Sequence, residues 1–220
     1  FIKNIEKSYV FLPNFIQYDK KNLYIGKAED ILSEFENGTV DLICTSPPYG
    51  DNPTTVTYGQ YSILPLYWID KSDLGKFDEQ LIANYSSIDS NSLGGSRRVR
   101  SSFESSILNN FLPRIDDKKQ NKVKNFVLDY LNVISELVRV LKVGKYIVLT
   151  LGDRRVDNKV VPLSTITTEY LESNGFILEK VITRNIPKKR MPRKVSMVGG
   201  NSVESMNQEH VLIFKKVENR

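Results

Sequence analysis

The strongest constraint on the fold lies in residues 123–151, where one hydrophobic period hands over to another. Val123, Phe126, Val127, Tyr130, Leu131, Ile134, Leu137, Val138 and Leu141 recur at three- and four-residue spacing, the pattern of an amphipathic helix. Tyr146–Leu151, "YIVLTL", follows and is apolar without alternation, as expected of a strand covered on both faces. The helix is predicted to stop near Lys142, with Gly144 as its left-handed cap. Asn22–Ile25, Val40–Cys44 and Val211–Phe214 read as further buried strands, and helical patterns occupy 28–36 and 163–173. The second of these ends at "SNG", with Gly175. Alternation of this kind predicts an α/β fold with a mainly parallel sheet and helices on both faces. The last two strands, 176–183 and 209–216, have no helix between them and are predicted to pair antiparallel. Residues 1–220 read as one domain with two irregular parts. These are a Ser- and Asn-rich insertion over 70–122 and a basic loop over 184–208.

Composition excludes several function classes. No apolar run reaches the roughly 18 residues a membrane span needs. The single Cys44 cannot form an internal disulfide, which fits a reducing cytosol, and its place within a strand makes it a core residue. One histidine and one cysteine leave too few ligands for a structural zinc, so no metal is expected. The formal charge is +5, and its clustering says more than its size. Arg184, Lys188, Lys189, Arg190, Arg193 and Lys194 fall within thirteen residues that hold no acid, and Arg97, Arg98 and Arg100 form a second cluster. Either cluster alone could be a solvated loop. Two on one chain favour a polyanion, because each neutralised phosphate releases counterions.

In an open α/β sheet, ligands bind outside the carboxyl ends of the strands. Ser46-Pro47-Pro48-Tyr49 leaves the strand 40–44 at such an end. The prolines fix their own φ angles and restrict the residue before each. A hydroxyl, a fixed carbonyl and an aromatic face within four residues make a clamp for a planar group bearing an amine.

"DLICTSPPYG" resembles the catalytic motif of the amino-group DNA methyltransferases, and Thr45-Ser46 looks most like their cytosine-N4 members. The resemblance extends through "LYIGKAEDILSEFENGTVDLICTSPPY", "VISELVRVLKVGKYIVLTLGD" and the closing pair "ESNGFILEKVITRN" and "EHVLIFKK", covering about residues 22–70 and 123–216. It implies a Rossmann-like sheet of the S-adenosylmethionine-dependent type with an antiparallel last strand. It also implies methyl transfer to the exocyclic amine of a cytosine flipped from double-stranded DNA, or of an adenine at N6. Ser46 and the Pro47 carbonyl would accept from the amine, Pro48 would stiffen the loop, and Tyr49 would stack on the base. Thr45, Asp51, Asn52, Leu64, Pro65 and Asp153 are the expected cofactor contacts, and the basic clusters the expected DNA contacts. For Asp51, Asn52 and Asp153 a capping or turn role stands beside that reading. For Tyr58, Tyr61 and Trp68, core packing stands beside a place near the base or cofactor, with Leu64, Pro65 and Trp68 expected to begin a helix. His210 is expected to be structural. A restriction–modification setting in a prokaryotic cytoplasm, close to the nucleoid, follows from the resemblance.

Two departures shape the expectation. The family's Phe-x-Gly-x-Gly turn for the methionine part of the cofactor is absent from this sequence, and Lys27 stands where relatives carry an aspartate for the adenine amine. Glu29 or Asp30 is the expected substitute. The chain opens on Phe1, which reads as a processed or truncated start. The chain is therefore expected to be the catalytic-motif half, with the cofactor half upstream, downstream or on a separate subunit, and to bind S-adenosylmethionine weakly alone. The alternative of another class is a non-catalytic DNA-binding scaffold subunit of a modification complex.

Overall fold

The computed structural model describes residues 22, 24, 27–50, 58–70, 82–93, 101–152, 154–186, 194–198, 201–204 and 208–218. Helix α1 (Ala28–Ser33) leads into strand β1 (Val40–Thr45), and α2 (Tyr58–Trp68), α3 (Tyr85–Asn91) and α4 (Ser106–Phe111) follow. The long α5 (Asp117–Val140) runs into β2 (Leu141–Leu151). A small hairpin, β3 (Arg155–Val156) and β4 (Lys159–Val160), precedes α6 (Leu163–Ser173) and β5 (Phe176–Asn185). A second hairpin, β6 (Lys194–Val198) and β7 (Asn201–Glu204), precedes β8 (Gln208–Lys216).

The main sheet has the order β1-β2-β8-β5. β1 and β2 are parallel, and β8 runs antiparallel to both β2 and β5. β1, β2 and β5 therefore share one direction and β8 opposes them, as the sequence predicts. Ile43, Ile147, Leu149, Leu151, Phe176, Leu212 and Phe214 fall on one face and are all buried with the apolar residues of α5 and α6. Among the described residues the opposite face carries no fully buried side chain: Leu42 is 61% exposed, Ile177 54% and Ile182 43%. The expectation of cover on both faces is thus corrected for the described residues. "YIVLTL" lacks alternation because Tyr146, Val148 and Thr150 are half-buried rather than enclosed.

The junction of α5 and β2 also differs from expectation. The helix ends at Val140 and the strand starts at once, so the last turn's carbonyls need partners from elsewhere. The Gly38 and Thr39 amides donate to the Arg139 and Val140 carbonyls at 3.0 and 2.9 Å. The buried Lys216 ammonium donates to the Val138 and Leu141 carbonyls at 2.8 and 2.9 Å. Gly144, with φ +80°, is not a helix cap; it lies inside β2, where the register with β1 shifts. The Arg139 guanidinium ties the end of α1 to α5, donating to the Leu32 and Phe35 carbonyls and to Asn37 Oδ1.

Other expectations are corrected as well. Asn22 and Tyr24 are not in a strand, and the residues around them lie outside the described set. The 70–122 segment holds α3, α4 and the start of α5, with Leu108, Phe111 and Ile115 in the core. Ser105 caps α4 by accepting from the Leu108 amide at 3.0 Å, and Glu169 of α6 accepts from Ser105 and Ser106. Cys44 is exposed, not core, because it points to the open face of the edge strand β1. Trp68 is 89% exposed, and Leu64, Pro65 and Trp68 close α2 rather than begin it. The basic 184–208 stretch contains the β6–β7 hairpin rather than a loop alone.

Candidate active site

β1 brings Thr45 to the carboxyl edge of the sheet, and the chain leaves through Ser46, Pro47, Pro48 and Tyr49. Ser46 is exposed and Tyr49 half-buried, so the loop presents a hydroxyl to solvent while its aromatic end rests on the sheet. The Tyr49 hydroxyl donates to Glu209 Oε1 at 3.1 Å, and Ser46 Oγ lies 3.3 Å from the Tyr49 oxygen. The phenol has one proton and spends it on the carboxylate, so Ser46 donates to the phenol oxygen. Ser46 Oγ then keeps its lone pairs for an incoming donor.

Partial burial holds the Tyr49 phenol above its usual range; the Ser46 bond opposes this and the Glu209 carboxylate adds to it. Tyr49 therefore remains a neutral donor. Glu209, near the start of β8, faces Arg184 near the end of β5 in the strand register. Arg184 Nε donates to Glu209 Oε2 at 3.0 Å, and its Nη2 closes the ion pair. Arg184, expected to touch DNA, thus has its charge engaged with Glu209 while its side chain stays largely exposed. Glu209 is a site residue that sequence reasoning missed; its one signal was a place beside His210 on the last strand. His210 Nδ1 lies 3.2 Å from Thr183 Oγ1 across the same strand pair, a contact within the sheet.

On the other side of the loop lies a cavity of about 340 Å³. Lys27, Ala28 and Glu29 at the start of α1 form one wall, Thr45 to Pro48 a second, and Val133, Ile134 and Leu137 of α5 a third. The volume falls within the usual range for small-molecule sites, and the lining is mainly apolar. Of the expected cofactor contacts, Thr45 lines this cavity, whereas Leu64 and Pro65 do not and are exposed. Of the two substitutes for the missing aspartate, Glu29 lines it beside Lys27. Asp51, Asn52, Asp153, Arg97, Arg98, Arg100, Lys188, Lys189, Arg190 and Arg193 lie outside the described residues, and of Lys194 only its place at the start of β6 is described. No described helix is long and apolar enough to cross a membrane.

No family model matches the chain. Over 223 residues it is 31% identical to the type II methyltransferase M.MvaI of Kocuria varians, a match that takes in 95% of this chain and 48% of that protein. The chain thus spans about half the length of the curated relative it matches. Among solved structures it is similar to the PvuII DNA methyltransferase (cytosine-N4-specific), at 15% identity and TM-score 0.47 over 89% of this chain and 49% of that one. A DNA modification methylase of Thermus thermophilus complexed with S-adenosyl-L-methionine aligns at 15% identity and TM-score 0.46, over 91% and 55% of the two chains.

Proposed function

We propose that this chain is the catalytic-motif part of a DNA methyltransferase, transferring a methyl group from S-adenosylmethionine to the N4 amine of a flipped cytosine. The observation that carries the reading is the Ser46–Tyr49–Glu209 chain at the carboxyl edge of β1, in which Ser46 Oγ is left as an acceptor. The 31% identity to a type II methyltransferase along nearly the whole chain supports it. Ser46 Oγ and the Pro47 carbonyl accept the two amine protons and direct the nitrogen lone pair. Tyr49 offers its ring to the base while its hydroxyl stays on Glu209. The amine must lose one proton when its nitrogen takes the methyl group, and the chain of hydroxyls ends on a carboxylate able to receive it.

The apolar cavity beside Lys27 and Glu29 fits the adenosine part of the cofactor in volume and lining. When bound, S-adenosylmethionine supplies an electrophilic methyl group. Thr45 and Glu29 line the place it would occupy. Support for a complementary half with the glycine-rich turn comes from the open sheet face around Leu42 and Ile177 and from β1, whose outer edge is unpaired among the described residues. The basic 184–208 segment is assigned to double-stranded DNA backbone, with Lys188, Lys189, Arg190, Arg193 and Lys194 as phosphate contacts beside Arg97, Arg98 and Arg100.

Adenine N6 is the second target, since Ser46 would accept from either amine. A scaffold role is favoured by one observation, the lysine in the cavity wall where a carboxylate is expected. Methyl incorporation into DNA by the complete enzyme separates these readings. Loss of incorporation in Ser46→Ala supports catalysis by this chain; unchanged incorporation supports the scaffold.

A further inference from the structure

Arg154 lies beneath the clamp loop and has no part in the chemistry proposed above. It is 8% exposed, and its guanidinium carbon stands 5.6 Å from the centroid of the Phe126 ring, itself 1% exposed on α5. Gly50, the residue after Tyr49, also lies against it. A β-carbon at Gly50 would fall 2.3 Å from Arg154 Cδ and 2.6 Å from its Nε and Nη1. The Gly50 backbone therefore rests directly on the guanidinium and its stem, and only glycine permits that approach. The guanidinium thus stacks over Phe126 and also packs against the Gly50 backbone.

The base of this stack is fixed. The Val161 amide donates to the Arg154 carbonyl at 2.8 Å, and the β3–β4 pairing starts at the next residue. Phe126 belongs to the buried face of the longest helix. The loop above needs such support, because Pro47 and Pro48 have no N–H with which to anchor it. Ser46 leaves a strand at one end, and at the other end the Tyr49 side chain is tied to Glu209 while the Gly50 backbone sits on Arg154. Burying a guanidinium is costly, and a planar cation over an aromatic ring is a geometry that lysine does not reproduce.

We propose that Arg154 is a positioning residue for the Ser46–Gly50 loop, setting through Gly50 where the Tyr49 hydroxyl and the Ser46 oxygen stand. The functional consequence rests on the clamp reading above; the structural one does not.

Amide hydrogen exchange in the free protein tests it, read at Tyr49 and Gly50 against the cores of α5 and β8. In Arg154→Ala, the Tyr49 and Gly50 amides should exchange about tenfold faster with the cores unchanged. Should Arg154→Ala fail to fold, Arg154→Lys keeps the stem and charge and should show the same local loosening. Gly50→Ala should loosen the loop by collision. The double variant Gly50→Ala/Arg154→Ala removes the collision but also the stack, so its loop should stay loose. Wild-type exchange at Tyr49 and Gly50 in Arg154→Ala, in Arg154→Lys where that variant is the one read, or in the double variant, would overturn the proposal. In the complete enzyme, kcat should fall with KM for DNA unchanged, whereas a loss confined to KM would make Arg154 a DNA-holding group instead. Because exchange is read without substrate, it still answers if Ser46→Ala leaves methyl transfer intact and the clamp reading fails.

Discussion

The proposed clamp depends on direction: Glu209 takes the Tyr49 proton, which leaves the Tyr49 oxygen to accept from Ser46. Glu209→Gln replaces an acceptor-only carboxylate with an amide that can donate, so the Tyr49 proton is free to turn back to Ser46. Methyl transfer should then fall by about two orders of magnitude in kcat, the lower range for a lost proton acceptor. A kcat within twofold of wild type would detach Glu209 from the chemistry. Tyr49→Phe keeps the ring and should retain base binding while losing kcat, whereas Tyr49→Ala should also lose about 1–3 kcal/mol of stacking in DNA binding. Titration of DNA containing an unpaired target base separates the two variants. The loop's place at the carboxyl end of β1 was legible because its prolines and tyrosine follow a short apolar run. Glu209 was not legible, since its role depends on an antiparallel pairing that places it opposite Arg184 and beneath a loop 160 residues away in sequence.

At the level of elements, periodicity carried α6 and the β5–β8 pair almost to their ends and α5 at its C-terminal end, while the polar first six residues of α5 were read as insertion. It failed where chain-end chemistry came from distant residues. Gly144 looked like a cap, but the carbonyls at the end of α5 are taken by Lys216, Gly38 and Thr39. Lys216→Met should leave two of those carbonyls unpaired and cost about 1–3 kcal/mol in chemical denaturation. Similarly, α4 was hidden in a polar stretch whose serines serve as cap and as donors to Glu169. Ser105→Ala should destabilise the protein by about 1 kcal/mol. Burial raises the Glu169 carboxyl, but the bonds from Ser105, Ser106 and the nearby amides more than reverse this and hold it below its usual range. Its contribution is therefore present near neutral pH and lost as pH falls through the lowered value. Melting curves of Glu169→Gln should accordingly be flatter across the acid range than those of wild type. An identical acid limb in the two proteins would contradict this.

At the scale of the whole molecule, among the described residues, one sheet face is packed and the other is half-open, with β1 at an unpaired edge. The proposed complementary cofactor half, expected from the absent glycine turn, would pack against this open face. If the cofactor site is shared in this way, calorimetry on this chain alone should detect little S-adenosylmethionine binding; micromolar affinity would argue for a self-sufficient site. The basic 184–208 segment should act through charge alone. Reversing Lys188, Lys189 and Arg190 should weaken binding to every sequence and flatten the salt slope by roughly one for each phosphate left without its cation. Methyl transfer to a cytosine amine held by Ser46 is read out by mass spectrometry of nucleosides from DNA incubated with the complete enzyme and S-adenosylmethionine. N4-methylcytosine should form with the wild type and none with Ser46→Ala; no methylated base with the wild type, or an undiminished yield from Ser46→Ala, would rule that transfer out.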